Sequence, residues 1–174
     1  DPLFGLGFQS QNVGNIEIKG IDITLTGDGN IGLTPITLLT GYTYIDPKQI
    51  DFDAVKDTLI NSSTENILKY RFQHMFKGEI QVGFGDFSIG ASTRFYSHMD
   101  NIDKAFELFI PGVKHYRDTH LTGVWVFDGR LSYKVDKNLS CAFITKNIFN
   151  KIYVIRPADI QQVRTFTLQV VLNY

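Results

Sequence analysis

The sequence predicts an all-β protein, an antiparallel sheet of about seven or eight strands with the pattern of a membrane-spanning barrel. Three observations carry that expectation. Side chains alternate with period two over seven stretches, connections alternate between short and long, and aromatic residues collect near strand ends. The 174 residues are 43% hydrophobic and 20% charged, with a formal net charge of −1. That balance excludes a disordered chain and offers no basic block for nucleic acid. No run approaches 18 consecutive apolar residues, so no transmembrane helix is expected. Cys141 is the one cysteine and cannot form an internal disulfide. The chain opens at Asp1-Pro2 without an initiator Met or a signal-like segment, which reads as a processed product or a piece of something longer.

Taken in order, Leu3–Gln9 is an expected partner strand at the start. Ile16 to Thr26 follows, but its parity switches: Glu17 and Lys19 share a face with Ile21, Ile23 and Leu25, and a bulge at Gly20 is expected to re-aim the side chains. Ile36, Leu38, Thr40, Tyr42 and Tyr44 mark the next strand. Phe76, Gly78, Ile80, Val82 and Phe84 oppose Lys77, Glu79 and Gln81, and Phe87, Ile89, Ala91, Thr93 and Phe95 oppose Ser88, Ser92 and Arg94. Trp125, Phe127, Leu131, Tyr133 and Val135 oppose Asp128, Arg130 and Lys134. Positions 139–150 alternate only in part, and Phe166, Leu168, Val170, Leu172 and Tyr174 close the chain. Such a period of two puts apolar and polar side chains on opposite faces. Helix is expected nowhere except a short stretch at Ala54–Ile60.

Connections run through Gly27–Thr34, about Asp46–Ile67, Gly85-Asp86, about Met99–Gly123, Asp136-Lys137-Asn138 and Lys151–Val163. Antiparallel neighbours place successive connections at opposite ends, so the short ones gather at one end and the long ones at the other. Outer-membrane barrels have that asymmetry. A two-residue loop at Gly85-Asp86 sets Phe84 against Phe87 and Val82 against Ile89, but also Lys77 against Arg94. A like-charge pair opposes pairing by up to about 1 kcal/mol, so a carboxylate is expected nearby. The three-residue turn sets Asp128 against Lys146. Two polarities fit this pattern. Aromatics can fill the interior of a water-soluble barrel, or face lipid while the charges line a lumen. Tyr42, Tyr44, Trp125, Tyr133 and Tyr174 near strand ends favour lipid, as interfacial girdles do.

Asn147-Ile148-Phe149-Asn150-Lys151-Ile152-Tyr153, a loop, and Arg164-Thr165-Phe166 running to Tyr174 resemble the last two strands of TonB-dependent outer-membrane receptors. Asn12-Val13-Gly14-Asn15-Ile16 through Gly20-Ile21-Asp22 is similar to an earlier strand of that family, with Asp22 for a Glu. Tyr70-Arg71-Phe72-Gln73-His74 is similar to the entry to a later one, with Phe72 for a Pro. The likeness covers nearly the whole chain, with the flavour of receptors from the Bacteroidota. It implies a barrel of about 22 strands around a plug. This chain would supply the C-terminal part, with the plug and remaining strands on another polypeptide segment.

The resemblance also implies a function: a ligand such as a ferric siderophore or other chelate binds extracellular loops, and TonB, acting through the plug, drives its uptake. The expected partners are the rest of the barrel, the plug, TonB and outer-membrane lipid, with no nucleic acid and no resident cofactor. Lys77, Glu79, Gln81, Arg94, Asp128, Arg130 and Lys134 are the expected lumen and plug-facing residues. Lys114, His115, Tyr116, Arg117 and His120 concentrate cations, histidines and an aromatic in one loop and are the first ligand candidates; Tyr96 and His98 are the second. No enzyme is expected. Cys141 lies on an apolar parity without a base, and Gly27-Asp28-Gly29-Asn30 joins strands instead of opening a helix. Two rivals stay open: an intact eight-stranded outer-membrane barrel closed by Leu3–Gln9, and a soluble lipocalin-like barrel with the greasy face inside.

Overall fold

The computed structural model describes residues 14–173. The expected strand Leu3–Gln9 and the terminal Tyr174 lie outside them. β1 (Ile16–Ile31), β2 (Thr34–Gln49), β3 (His74–Phe84), β4 (Phe87–Tyr96), β5 (Val124–Lys134), β6 (Leu139–Lys146) and β9 (Thr165–Leu172) form one antiparallel sheet in that order. β7 (Val154–Arg156) and β8 (Asp159–Ile160) make a small separate hairpin before β9. The long connections also hold α1 (Asp57–Ile60), α2 (Lys104–Phe109) and α3 (Val113–Thr119). Sequence periodicity does not reveal α2 and α3, because six and seven residues are too few to establish a 3.6-residue repeat.

The first two strands are longer than expected. Gly27–Thr34 is not a loop: pairing runs without interruption from Ile16↔Gln49 to Ile31↔Thr34, leaving only Gly32-Leu33 as the turn. Cross-strand hydrogen bonding holds this glycine- and polar-rich segment extended despite its weak strand propensity. The continuous register also removes the expected bulge at Gly20. Gly20 is required for another reason: a Cβ there would sit 2.3 Å from the Tyr44 carbonyl oxygen. Glu17 and Lys19 do share the face of Ile21 and Ile23, but they lie beyond the aromatic ends of the neighbouring strands and pair with each other at 2.9 Å. β6 stops at Lys146, where Asn147 takes a φ of +51° and breaks the extended backbone.

Register aligns the apolar face into rows. Tyr42, Phe76, Phe95 and Trp125 form one row across β2 to β5, with the Phe95 and Trp125 ring centres 4.9 Å apart. Phe84, Phe87 and Tyr133 form another at the short-turn end, with Phe87 and Tyr133 at 4.4 Å. Trp125 and Tyr133 are eight residues apart on β5, about 27 Å at ~3.4 Å per residue. Ile80, Val82, Ile89, Leu131, Phe143 and Leu168 fill the belt between the two rows. With strands tilted by about 35–45°, that length spans about 19–22 Å along the barrel axis, of the order of the apolar band about 25 Å tall between two aromatic girdles.

Among the described residues the sheet is open, with β1 and β9 at its edges. Phe166 and Leu168 are 62% and 72% exposed instead of packed inside a closed body. A soluble barrel with the greasy face inward is thereby set aside. Most buried side chains gather instead at the long-connection end: Leu68, Met99, Ile102, Val124, Val126 and Tyr153 with Asn61, Asn101 and Asn147. Val124 and Val126 belong to the polar-face parity, so the long connections pack onto that face at its outer end. Gly123 permits the sharp re-entry into β5, with φ +82° and no room for a Cβ beside the Tyr96 carbonyl.

Candidate ligand-facing loops and lumen face

Among the described residues the polar face carries one ion pair. Lys77 and Arg94 stand opposite each other, and the carboxylate that relieves them is Asp128, whose Oδ2 lies 2.8 Å from Arg94 Nη2. Asp128 Oδ1 also accepts the Asn147 backbone N–H at 2.7 Å, holding the unusual turn after β6. The expected pairing of Asp128 with Lys146 is therefore replaced. The ladder between β5 and β6 ends at Gly129↔Thr145, and the carboxylate turns towards β4 and the Asn147 amide. Lys77 lies across Gly41, where a Cβ would meet its Cε at 2.9 Å. Arg130 is held by neutral groups, Ser132 Oγ at 2.9 Å and Gln169 Oε1 at 3.3 Å. Among the described residues Lys77, Glu79 and Lys134 form no ion pair, and Glu79, Gln81 and Lys134 stand exposed.

At the outer end, two long connections are stitched together. Residues 58–70 meet 99–104 through Ser62 N–H to the Ile102 carbonyl (2.8 Å), Ile102 N–H to Ser62 Oγ (2.9 Å), Tyr70 N–H to the Asn101 carbonyl (2.9 Å) and Lys104 Nζ to the Thr58 carbonyl (2.6 Å). Asn101, 1% exposed, donates from Nδ2 to the Ile67 carbonyl at 2.6 Å and accepts Ser63 N–H at 3.2 Å. Asp103 receives Lys69 and the Tyr70 hydroxyl. Burial and that acceptor hold the Tyr70 phenol above its usual range. Asn101, Asp103 and Ser62 were invisible to sequence reasoning, because their partners are 33 to 55 residues away and no local motif marks them.

The expected ligand residues divide between surface and interior. Lys114 and His115 lie exposed on α3; Lys114 has only a 3.6 Å pair to Asp118 on the same helix. Arg117 turns inward. Its Nε meets Glu107 Oε1 at 2.7 Å, with the two side chains 13% and 20% exposed, and its other nitrogens donate to the Met99 and Asp100 carbonyls and to Ser62 Oγ. Tyr116 stacks on His120 at 4.1 Å, and burial pushes its hydroxyl pKa up. His120 Nδ1 sits 2.9 Å from the Tyr116 carbonyl. Tyr96 stacks on Tyr153, joining the third long connection. His98 donates from Nδ1 to the His120 carbonyl at 3.3 Å beside a cavity of about 40 Å³ lined by Tyr116, Arg117 and Val154. His74 lies 2.8 Å from the Tyr42 hydroxyl at the outer aromatic row.

Burial, then the Arg117 guanidinium, hold the His98 pKa below its ordinary range, outweighing Asp100, Glu107 and the His120 carbonyl. The packed loop thus binds fewer protons than the opened one. Its stability is complete above the ordinary imidazole value of about 6.5 and falls as pH drops below it towards the depressed one. The protection factor of residues 113–119, the exchange rate normalised for its intrinsic tenfold fall per pH unit, is expected to drop between pH 7 and 5, and to lose that pH dependence in His98→Gln. An identical pH response in the variant contradicts the assignment.

A family model described as TonB dependent receptor-like, beta-barrel matches residues 1–150. The chain belongs to that family. TonB-dependent receptors are outer-membrane receptors and transporters, not enzymes. Two solved structures of the ferric-catecholate import receptor Fiu from E. coli K12 share the fold. The closed form gives a TM-score of 0.69 at 23% identity over 91% of this chain and 21% of that one. The open form gives 0.59 at 20% identity over 90% of this chain and 21% of that one. The chain therefore spans about a fifth of the length of these receptors. An open sheet with long connections at one end is what a segment of a TonB-dependent barrel provides. Among the described residues no three His, Cys, Asp or Glu side chains form a metal-binding group, including His115, Asp118 and His120.

Proposed function

We propose that residues 1–174 are the C-terminal part of a TonB-dependent receptor barrel whose plug domain and remaining strands lie outside these residues, and that the whole receptor imports a ferric siderophore or similar anionic chelate. The observation that carries this is the division of the sheet: an apolar face bounded by two aromatic rows, and an opposite face bearing the charges. Arg or Lys at the lipid midplane costs ~2–4 kcal/mol, so the face carrying Lys77, Glu79, Gln81, Arg94, Asp128, Arg130 and Lys134 is the one turned to the lumen and plug. The apolar face contacts outer-membrane lipid, and TonB acts through the plug. The exposed Lys114 and His115 meet the ligand, on a platform of Tyr116, Arg117 and His120 with Tyr96 and His98 beneath. The ferric-catecholate import of Fiu supports an iron chelate as cargo.

The test uses the whole receptor in iron-starved cells, reading uptake of a radiolabelled ferric catecholate and partition into the outer-membrane fraction. Wild type is expected in that fraction with TonB-dependent uptake, reduced about tenfold by Lys114→Glu. Absence from the membrane fraction overturns the receptor reading. Membrane insertion with uptake indifferent to TonB overturns the transport step, and membrane insertion with no catecholate uptake overturns this cargo.

A further inference from the structure

Arg117 looked in the sequence like a free cation for an anionic ligand, yet its guanidinium is spent on the protein itself. It grips Glu107 on α2, two carbonyls of the segment leading into α2, and a hydroxyl of a connection 55 residues away. Ser62 Oγ is shared: it accepts from both Arg117 and the Ile102 amide, the junction at which the two long connections meet. A planar fork with fixed donors suits such a junction, whereas an ammonium serves it as a point charge.

We propose that residues 58–70 and 99–104 form one preassembled seam that opens and closes as a unit, and that Arg117 is the positioning residue fastening α3, with Lys114 and His115 on its outer side, to that seam. The recognition surface then exists before any ligand arrives, so binding does not have to order the loops. The proposal rests on the receptor reading only where it speaks of a ligand. The seam and the clasp stand on hydrogen bonds and on the Arg117–Glu107 ion pair.

Hydrogen exchange of the whole receptor in detergent, with no ligand added, tests it. Arg117→Gln and, more gently, Glu107→Gln are expected to speed exchange of residues 113–119 about tenfold, while 58–70 changes little. Arg117→Lys is expected not to restore protection. Asn101→Ala is expected to speed 58–70 and 99–104 together. In ferric-catecholate uptake, Arg117→Gln is expected to raise the apparent KM about tenfold at an unchanged maximal rate. Unchanged exchange at 113–119 in Glu107→Gln and Arg117→Gln overturns the clasp. Full recovery of uptake by Arg117→Lys assigns Arg117 to ligand charge instead and also overturns it. Acceleration confined to one of the two connections in Asn101→Ala overturns the single seam. Wild-type receptor that takes up no catecholate leaves these exchange outcomes readable, so failure of the cargo reading is distinct from failure of the clasp.

Discussion

Ile80→Arg is expected to cost about 2–4 kcal/mol of folding free energy in a bilayer, while Gln81→Arg, one residue along the same strand, costs under about 1 kcal/mol. Ile80 lies in the row Leu38, Ile80, Ala91 and Gly129, midway between the outer row of Phe76 and Trp125 and the inner row of Phe84 and Tyr133. A guanidinium there is half the thickness of the band from water in either direction, the farthest any position can be. Gln81 shares its row with Gly90 and Arg130 on the polar face, where there is room and water for a second cation. Urea unfolding of the whole receptor in lipid vesicles measures both variants. Equal losses contradict the assignment of faces.

Asp128→Lys is expected to lower stability by about 2 kcal/mol, more than Asp136→Lys, which is expected to cost about 1 kcal/mol. Asp128 is part-buried, neutralises Arg94 opposite Lys77, and caps the Asn147 amide; its replacement leaves three cations in one neighbourhood and an orphaned turn. Asp136 accepts the Asn138 and Leu139 amides in an exposed turn that water can serve instead. Folded yield in the outer membrane and the urea midpoint report the difference. Equal values for the two variants count against a packed lumen pair.

Much of the sheet was legible in the sequence because period-two alternation is a local signal. Phe84 against Phe87, Val82 against Ile89 and Lys77 against Arg94 follow once the turn at Gly85-Asp86 is found, and all three stand in the structure. The need for a carboxylate beside Lys77 and Arg94 was legible too, but not its identity. Asp128 was read opposite Lys146 from register alone, and the turn at Asn147 diverts it. Gly27 to Asn30 looked like a loop, since glycine and short polar residues break isolated strands, and only pairing with Pro35 to Leu38 keeps them extended.

The loops were least legible. Their order comes from contacts across tens of residues, such as Asn101 to Ile67 and Arg117 to Ser62, which leave no periodic trace. Residue type drew attention to positions 114–120, but type cannot distinguish the outward Lys114 from the inward Arg117. That distinction rests on the face of a two-turn helix, on which Tyr116 and Arg117 turn in while Lys114 and His115 turn out, and on a partner at Glu107.

The account stands on which face of the sheet meets hydrocarbon. Nitroxide labels placed in turn at positions 80, 81, 88, 89, 131 and 132 of the whole receptor in lipid vesicles read this directly through collisions with molecular oxygen and with a water-soluble nickel chelate. High oxygen and low nickel contact at 80, 89 and 131, reversed or shielded at 81, 88 and 132, is the predicted alternation. Positions 80, 89 and 131 immobile and closed to oxygen, with 81, 88 and 132 in contact with lipid, contradict it.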